Sequence, residues 1–310
     1  PGGAAVRNAF ARVMTELSQE RSDVCLLSGD IGNRMFDRYK EVAPTRFLNC
    51  GIAEANMMSM AAGMALSGLR PVVYTITPFT TTRCLEQIRT GVAYHEAPVV
   101  IVGTGSGLSY AELGATHHSL EDLAILRSIP NLQVCAPSDS LELEAQLRQA
   151  ITEGKPTYIR IGKKGEPDIF SDDALLGIGK ANMVEQGKKY LLVGIGPLIN
   201  EALKARELLK EHDIDLAVAT IGSIKPIDSE FLENQLKNGF EKWISLEEHH
   251  KAGGLGSTLL EWLNERRMDQ IKLERIGIDD HFIHTLGKQD YVREIEGLKS
   301  QSIAQIITRL

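Results

Sequence analysis

The chain has 310 residues, of which 43% are hydrophobic, enough to cover two cores of ordinary size. Its formal net charge is −7. The sequence shows neither a basic stripe nor a run of like charges, which argues against a nucleic-acid partner and against an anionic membrane surface.

Two further features bound the setting of the protein. No apolar stretch reaches the ~20 residues of a membrane span, and the N-terminus lacks the regions of a signal peptide. The four cysteines are widely spaced, lie in or near apolar segments and form no Cys-x-x-Cys motif. We therefore expect reduced core cysteines in a cytoplasmic protein.

Short apolar runs alternate with segments of helical period along the first half of the chain. This pattern is typical of parallel sheets crossed by helices, so we predict an α/β fold with two doubly wound sheet domains. The predicted strands cover residues 24–27, 47–49, 72–76, 99–103, 132–136 and 157–161. The predicted helices cover residues 4–19, 53–66, 83–94, 120–127 and 141–153.

The alternation stops at a polar, glycine-rich stretch, residues 162–180. We expect a first domain at residues 1–165, a linker at 166–185 and a second domain at 186–310. A second alternation then begins. Its predicted elements cover residues 190–194, 198–211, 214–220, 230–236, 243–246, 255–265, 273–278 and 302–310.

Two patterns in the second domain suggest ligand sites, and we interpret both as structural. Gly194 and Gly196 resemble part of a dinucleotide fingerprint, but the third glycine and the downstream acid are missing, so we predict a tight turn from strand to helix. The adjacent His249 and His250 have no further ligands at metal spacing. We expect this domain to serve mainly in assembly and regulation.

One carboxylic acid, Glu54, lies at the start of an otherwise apolar helix. It follows the predicted strand 47–49 and the turn glycine Gly51, and the residues behind it are small and apolar. A strand, a glycine turn and a helix form an arrangement in which α/β proteins build sites. The alternative is an ordinary first helical turn, where the helix dipole favours a negative charge.

Six blocks of sequence, in one order, resemble a known family. They are the segments 49–58 (NCGIAEANMM), 114–118 (GATHH), 120–131 (LEDLAILRSIPN), 135–139 (CAPSD), 223–228 (SIKPID) and 247–257 (EEHHKAGGLGS). They are similar to blocks of the transketolase and 1-deoxyxylulose-5-phosphate synthase superfamily, which include Gly-Ile-Ala-Glu and Gly-Pro-Thr-His-Gln. The blocks span nearly the whole chain, so the resemblance rests on their order and coverage together.

The resemblance implies a pyrimidine-binding domain followed by a transketolase C-terminal domain, in an enzyme that uses thiamine diphosphate. The family's metal and diphosphate motif, Gly-Asp-Gly with a later asparagine, is missing, and segment 28–32 (SGDIG) does not supply it. We therefore expect one subunit of a split transketolase, without a metal site of its own. A diphosphate-binding partner subunit would hold the diphosphate and Mg²⁺, with two copies of each chain in the complex.

The resemblance implies that Glu54 hydrogen-bonds the aminopyrimidine ring nitrogen of the cofactor. This contact promotes the imino tautomer, whose exocyclic nitrogen removes the thiazolium proton. Glu54 must then hold or share a proton near neutral pH. We expect Ile52, Met57, Met58 and the partner subunit to favour this by excluding water.

Two further residues are expected beside the cofactor. Phe79 lies where the family places an aromatic ring against the aminopyrimidine, although a core phenylalanine at a strand end is the alternative. Ile76 and Thr82 stand near positions that are aromatic in many long-chain transketolases. We expect Ile76 to line a cofactor pocket that is less aromatic than theirs.

His117 follows the threonine of the GATHH block, and the resemblance implies that it contacts the reacting hydroxyl or carbonyl of the substrate. An imidazole at this place can donate a hydrogen bond to developing negative charge or carry a proton. His118 stands where the family usually has glutamine. Its role stays open.

Three cations match positions that bind the substrate's phosphate in the family. Arg7 matches an arginine near the start of the pyrimidine-binding domain, and Arg160 or Lys163 falls where a second cation is kept. The planar fork of arginine suits anionic oxygens. The alternative for each is an ordinary surface cation.

Two departures from the family pattern bear on the substrate. Gly105 lies where transketolases commonly carry a histidine, and Leu113 lies where they carry an aspartate that contacts a substrate hydroxyl. A hydroxyl buried against Leu113 would go unpaired, at a cost of about 1–3 kcal/mol. Arg34, Tyr110 and Glu112 are candidates for substitute contacts, so we expect a nonstandard acceptor, such as a different sugar phosphate, a sulfosugar or a short aldehyde.

The sequence therefore predicts a subunit of a transketolase that moves a two-carbon ketol unit from an anionic ketose to an aldehyde. The alternatives are a deoxyxylulose-phosphate synthase-like subunit, a 2-oxoacid dehydrogenase β-like subunit, and a non-catalytic partner subunit.

Overall fold

The computed structural model describes residues 6–32, 34–163, 167–171 and 174–310. Within these ranges the chain forms two α/β domains, each built on one sheet, which confirms the predicted fold class. The predicted helix start at Ala4 and the linker residues 166, 172 and 173 lie outside the described ranges.

The first domain alternates helices and strands in the predicted order. Its elements are α1 (Val6–Glu20), β1 (Val24–Ser28), α2 (Asp37–Val42), β2 (Phe47–Asn49), α3 (Glu54–Leu66), β3 (Arg70–Ile76), α4 (Thr77–Thr80), β4 (Val100–Thr104), α5 (Asp122–Arg127), β5 (Gln133–Cys135), α6 (Ser140–Glu153) and β6 (Thr157–Ile161). Short 3₁₀ turns lie at Pro44–Arg46, Thr82–Cys84 and Ala111–Leu113.

The predicted α-helix at residues 83–94 differs in the structure. After the 3₁₀ turn Thr82–Cys84, the segment Gln87–Ala93 is a π-helix. It lies close against α3 at Gly91, where a Cβ atom would come within 3.4 Å of the Cβ of Ala62. A π-helix is rare and is frequent at functional sites.

The second domain begins inside the segment expected as linker. Its elements are β7 (Ala181–Glu185), β8 (Tyr190–Gly194), α7 (Ile199–Lys210), β9 (Leu216–Ile221), β10 (Ser223–Lys225), α8 (Ser229–Leu236), β11 (Lys242–His250), α9 (Leu255–Glu265), β12 (Leu273–Ile278), α10 (Gln289–Ile295) and α11 (Ser300–Thr308). The predicted turn after β8 is present, with Gly196 at φ +67° and a 3₁₀ turn at Gly196–Leu198 before α7.

The two sheets are parallel except at one edge strand each. The first has the strand order β10-β5-β6-β4-β3-β1-β2, and the second has the order β12-β11-β8-β9-β7. In each, the exception is antiparallel: β10 against β5, and β7 against β9. The central strands are buried along their length, which explains why they read as continuous apolar runs.

One strand ties the two domains together. β10 follows β9 of the second sheet in sequence but pairs with β5 at the edge of the first sheet. One apolar core also continues from beneath α3 to the tryptophans Trp243 and Trp262 of the second domain. The two domains therefore share both a sheet edge and a core.

The residues predicted for the site follow the carboxyl ends of parallel strands. β2 leads to Glu54, β3 to Phe79, β4 to the loop with His117, and β6 to Lys163. Because these strands are parallel neighbours within one sheet, their carboxyl ends meet at the same edge.

Among the described residues, no helix combines the length and the apolar character needed to cross a membrane.

Candidate functional site

Glu54 is positioned by the turn between β2 and α3. The amide of Gly51 donates to Oδ1 of Asn49 at 2.9 Å, and Gly51 has φ +67°, which favours glycine. α3 then starts at Glu54, and this residue is only 4% exposed although it carries a carboxylate. A buried carboxylate requires a hydrogen-bonding or charged partner.

That partner is Arg83, four residues beyond Phe79. Its Nη1 donates to Oε1 of Glu54 at 2.9 Å. The same guanidinium lies over the Phe79 ring, with Cζ 4.0 Å from the ring centroid. Glu54 and Phe79 therefore face one narrow slot, and a planar group fits between the carboxylate and the ring.

His117 closes the next side of this slot. Its ring meets the Phe79 ring edge-on at a centroid distance of 5.3 Å, and its Nδ1 lies 3.0 Å from the hydroxyl of Thr116. Burial lowers the pKa of His117, and the positive charges of Arg83 and Lys163 lower it further. A neutral imidazole near pH 7 can accept a proton or donate a hydrogen bond to a substrate oxygen.

Tyr110 explains why position 105 is a glycine. Gly105 has φ +79°, and a Cβ atom there would lie 2.0 Å from Cε2 of Tyr110. The tyrosine ring thus covers the backbone where the family commonly carries a histidine. Tyr110 also lies 5.9 Å from the His117 ring, and the ammonium group of Lys163 lies 4.0 Å from its centroid.

Arg7 and Arg34, both predicted to bind the substrate's anion, line one groove of about 640 Å³. The Nε atom of Arg7 is buried and has no hydrogen-bond partner among the described residues. Burial raises the pKa of Tyr110 and the charge of Arg7 lowers it, so the groove reaches towards the His117 side. The structure therefore brings Arg7 and Arg34 to the same concave surface.

Arg160, by contrast, is committed to the protein interior. It is 7% exposed, and its Nη2 donates to the carbonyl oxygens of Glu248 at 2.8 Å and of Ser119 at 3.3 Å. Its Nη1 forms an ion pair with Asp122 at 3.3 Å. Arg160 is thus a correction to the predicted substrate-binding set, because these contacts use its guanidinium, and Lys163 is the cation beside His117.

The expected apolar shield of Glu54 is also corrected in part. Ile52 is 81% exposed, so within this chain it does not cover the carboxylate, whereas Met57 and Met58 are buried in the core. Ile76 is half-buried at the end of β3, next to Thr104 of β4. Position 113, where the family carries an aspartate, is an exposed leucine, 50% accessible.

His118 points inward and not into the slot. It is 6% exposed, burial lowers its pKa, and a hydrogen bond with the backbone of Ala111 raises that pKa in part. Its Nε2 has no hydrogen-bond partner among the described residues.

Arg83 is the residue that sequence reasoning missed. Its spacing contained a signal, because residues four apart in a helical segment lie on one face, so Arg83 was bound to lie near Phe79. Which carboxylate it would pair with depends on how α3 packs, and spacing alone does not give that.

Within the described ranges, no group of three or more His, Cys, Asp or Glu residues is arranged to hold a metal ion.

Two family descriptions match the chain. They are the transketolase pyrimidine-binding domain over residues 3–166 and the transketolase C-terminal domain over residues 179–296. The chain belongs to the transketolase family.

Among curated members of this family, one of the two subunits of an apulose-4-phosphate transketolase from Phocaeicola vulgatus is 32% identical, over 90% of this chain and 89% of that protein. A 6-deoxy-6-sulfo-D-fructose transketolase subunit from Clostridium sp. (strain MSTE9) is also 32% identical, over 97% of this chain and 92% of the relative. A 1-deoxy-D-xylulose-5-phosphate synthase from Halothermothrix orenii is 34% identical, but the match covers only 38% of that protein.

The solved structures agree with this assignment. A split-gene transketolase described as an inactive beta4 tetramer is 31% identical, with a TM-score of 0.89, over 99% of this chain and 98% of that chain. A transketolase from Pichia stipitis shares the fold with a TM-score of 0.81 at 18% identity, and the match covers 46% of its chain.

Proposed function

We propose that this chain is the pyrimidine-binding subunit of a split transketolase, active with a partner subunit. The transferred unit is a two-carbon ketol group, moved from an anionic ketose to an aldehyde. The observation that carries the proposal is the single slot shared by the buried carboxylate of Glu54 and the ring of Phe79, with His117 at its edge.

Each residue has a task in this proposal. Glu54 holds a proton against the ring nitrogen of an aminopyrimidine, and Phe79 stacks on that ring. His117 donates a hydrogen bond to the substrate oxygen that gains negative charge, or takes its proton. Ile76 lines the slot, and Ile52 reaches the cofactor only where the partner subunit covers it.

Thiamine diphosphate, when bound, supplies the carbanion that accepts the ketol unit. The slot fits its aminopyrimidine, since a planar guanidinium already lies 4.0 Å from the Phe79 centroid and bonds Glu54. The proposal assigns the diphosphate and Mg²⁺ to the partner subunit because the Gly-Asp-Gly motif is missing from this sequence. It further assigns two copies of each chain to a complex located in the cytoplasm.

The substrate's anionic end is proposed to lie near Arg7, Arg34 and Lys163. Arg7 and Arg34 share a groove, and the buried Nε of Arg7 is a donor without a partner among the described residues. The two relatives of similar length are named for a sugar phosphate and for a sulfosugar, and both substrates are anions. The proposal therefore extends to a sugar carrying a phosphate or a sulfonate.

The decisive variant is Glu54→Gln in the reconstituted complex. Glutamine keeps the size of the side chain but has no carboxyl proton to hold or share, so we expect turnover to fall by more than about 100-fold. Glu86→Gln is the matched control, because Glu86 is exposed and pairs only with Arg89 on the same turn. Unchanged turnover in Glu54→Gln would instead support a non-catalytic partner subunit.

The donor separates the remaining alternatives. The complex is supplied with an aldehyde acceptor and either ketose phosphates, a sulfoketose or pyruvate. A transketolase consumes the ketoses. Turnover from pyruvate alone contradicts the transketolase assignment and supports a deoxyxylulose-phosphate synthase-like or 2-oxoacid dehydrogenase β-like subunit.

A further inference from the structure

Arg83 makes two contacts at once, each with a residue of the proposed site. Its Nη1 bonds the Glu54 carboxylate at 2.9 Å, and its Cζ lies 4.0 Å from the centroid of the Phe79 ring. The carboxylate side chain of Glu54 is 5% exposed, whereas the Arg83 side chain is 47% exposed. The buried partner is therefore fixed, and the arginine is the member that has space to move.

These two contacts are also the ones that the proposed function assigns to the aminopyrimidine. A planar group that both bonds the Glu54 carboxylate and covers the Phe79 face must lie where the guanidinium lies. Two planar groups do not fit in one stacking distance. Arg83 and the aminopyrimidine therefore exclude each other from this position.

We propose that Arg83 is a positioning residue that holds Glu54 and Phe79 in their working arrangement and competes with the cofactor's aminopyrimidine for the slot. This inference rests on the proposed function, since it takes the aminopyrimidine as the group that replaces the guanidinium. Binding requires Arg83 to swing out towards solvent or the partner subunit. The affinity for thiamine diphosphate is then set partly by the contacts that Arg83 gives up.

The test measures cofactor affinity by calorimetry, with thiamine diphosphate and Mg²⁺ titrated into the reconstituted complex. Arg83→Gln removes both the charge and the stacking plane, so the dissociation constant falls. A half-exposed ion pair and a cation–π contact are each worth up to about 1 kcal/mol, which corresponds to about a five- to tenfold tightening. Arg83→Lys keeps the charge but not the plane, and its dissociation constant lies between those of the other two.

Arg89→Gln is the matched control. Arg89 lies on the same helical segment, is exposed and bonds Glu86, so its loss leaves the dissociation constant unchanged. A dissociation constant for Arg83→Gln that equals the wild-type value overturns the competition, and a higher one shows that Arg83 is a cofactor ligand. Failure of the proposed function itself is distinct, because the wild-type complex then shows no cofactor binding at all.

Discussion

At the scale of single residues, the site depends on which charges surround His117. Burial, Arg83 and Lys163 all lower the pKa of this imidazole. The ammonium of Lys163 is held over the Tyr110 ring, 4.0 Å from its centroid, and forms an ion pair with Glu112 at 3.8 Å. Removing one positive charge makes protonation of His117 less costly.

We therefore predict that Lys163→Met raises the pKa of His117. Methionine keeps apolar contact with Tyr110 but carries no charge. The pKa is measured by NMR titration of the histidine ring protons in the full chain. Lys189→Met is the control, because Lys189 lies over Tyr190 in the second domain in a similar way, 5.0 Å from the centroid. A His117 pKa that stays constant or falls in Lys163→Met contradicts the assignment of Lys163 to this cluster.

The sequence predicts Glu54, Phe79 and His117 because each stands in a motif that fixes its place at a strand end. It does not predict the partners of the cations. Arg83 pairs with Glu54 across 29 positions, and Arg160 contacts Glu248 across 88. Such contacts are set by the packing of distant elements, so spacing and composition do not reveal them.

At the scale of elements, α6 joins the two domains at its first turn. Asp139 caps this helix by accepting the amide of Glu142 at 2.9 Å, and Oε2 of Glu142 accepts the amide of Ser138 at 2.6 Å. The other carboxylate oxygen of Glu142 faces Gly222, where a Cβ atom would lie only 2.0 Å away. Glu142 is fully buried, and burial raises its pKa to about 8.

We predict that Glu142→Gln stabilises the chain at high pH. In native protein Glu142 keeps its proton up to about pH 8, whereas in the unfolded chain it ionises near 4.5. Stability is therefore lost as the pH rises from 4.5 to 8, and glutamine, which copies the protonated acid, removes that loss. Thermal unfolding should show a gain of about 2 °C or more at pH 8.5 and little gain at pH 4.5.

Glu144→Gln is the contrasting control two residues away. Its carboxylate bonds Arg12 at 2.6 Å and Arg148 at 2.9 Å, and these bonds lower its pKa despite burial. Replacing it removes stability above its pKa instead of adding it, by up to about 1 kcal/mol because the pairs are partly exposed. If both variants change stability in the same direction at pH 8.5, the buried position of Glu142 is not the cause.

Element boundaries were largely predictable because parallel strands read as apolar runs and helices as amphipathic segments. Two elements were not predicted. β10 has three residues, too few for a periodic pattern, and its partner β5 lies in the other domain. The π-helix Gln87–Ala93 has nearly the period of an α-helix, so the sequence of an amphipathic segment does not separate the two.

At the scale of the whole molecule, the second domain supports the loop that carries Tyr110 and His117. Oε1 of Glu248 accepts the amide of Leu108 at 2.7 Å and Nε2 of Gln289 at 3.0 Å. Its other oxygen pairs with Arg293, which is itself mostly buried. The loop is held again where the amide of His250 donates to the carbonyl of Leu120 at 2.9 Å.

We predict that Glu248→Ala weakens both stability and catalysis. The change leaves Arg293 buried without its counter-charge and the amide of Leu108 without an acceptor, a loss of about 3–5 kcal/mol. The loop between β4 and α5 is then freed from the second domain, so His117 and Tyr110 lose their fixed positions. We expect a lower melting temperature and a lower kcat/KM in the reconstituted complex, measured below the melting range of the variant.

The control is Glu233→Ala, which removes an exposed ion pair with Arg266 on the far side of the same domain. Such a pair is worth less than about 1 kcal/mol, so both stability and kcat/KM stay close to wild type. A second variant, Glu248→Gln, keeps the acceptor for Leu108 but not the charge for Arg293. If Glu248→Gln retains kcat/KM while losing stability, the hydrogen bond to Leu108 positions the loop and the ion pair serves folding. If Glu248→Ala retains full kcat/KM, the second domain does not support the site.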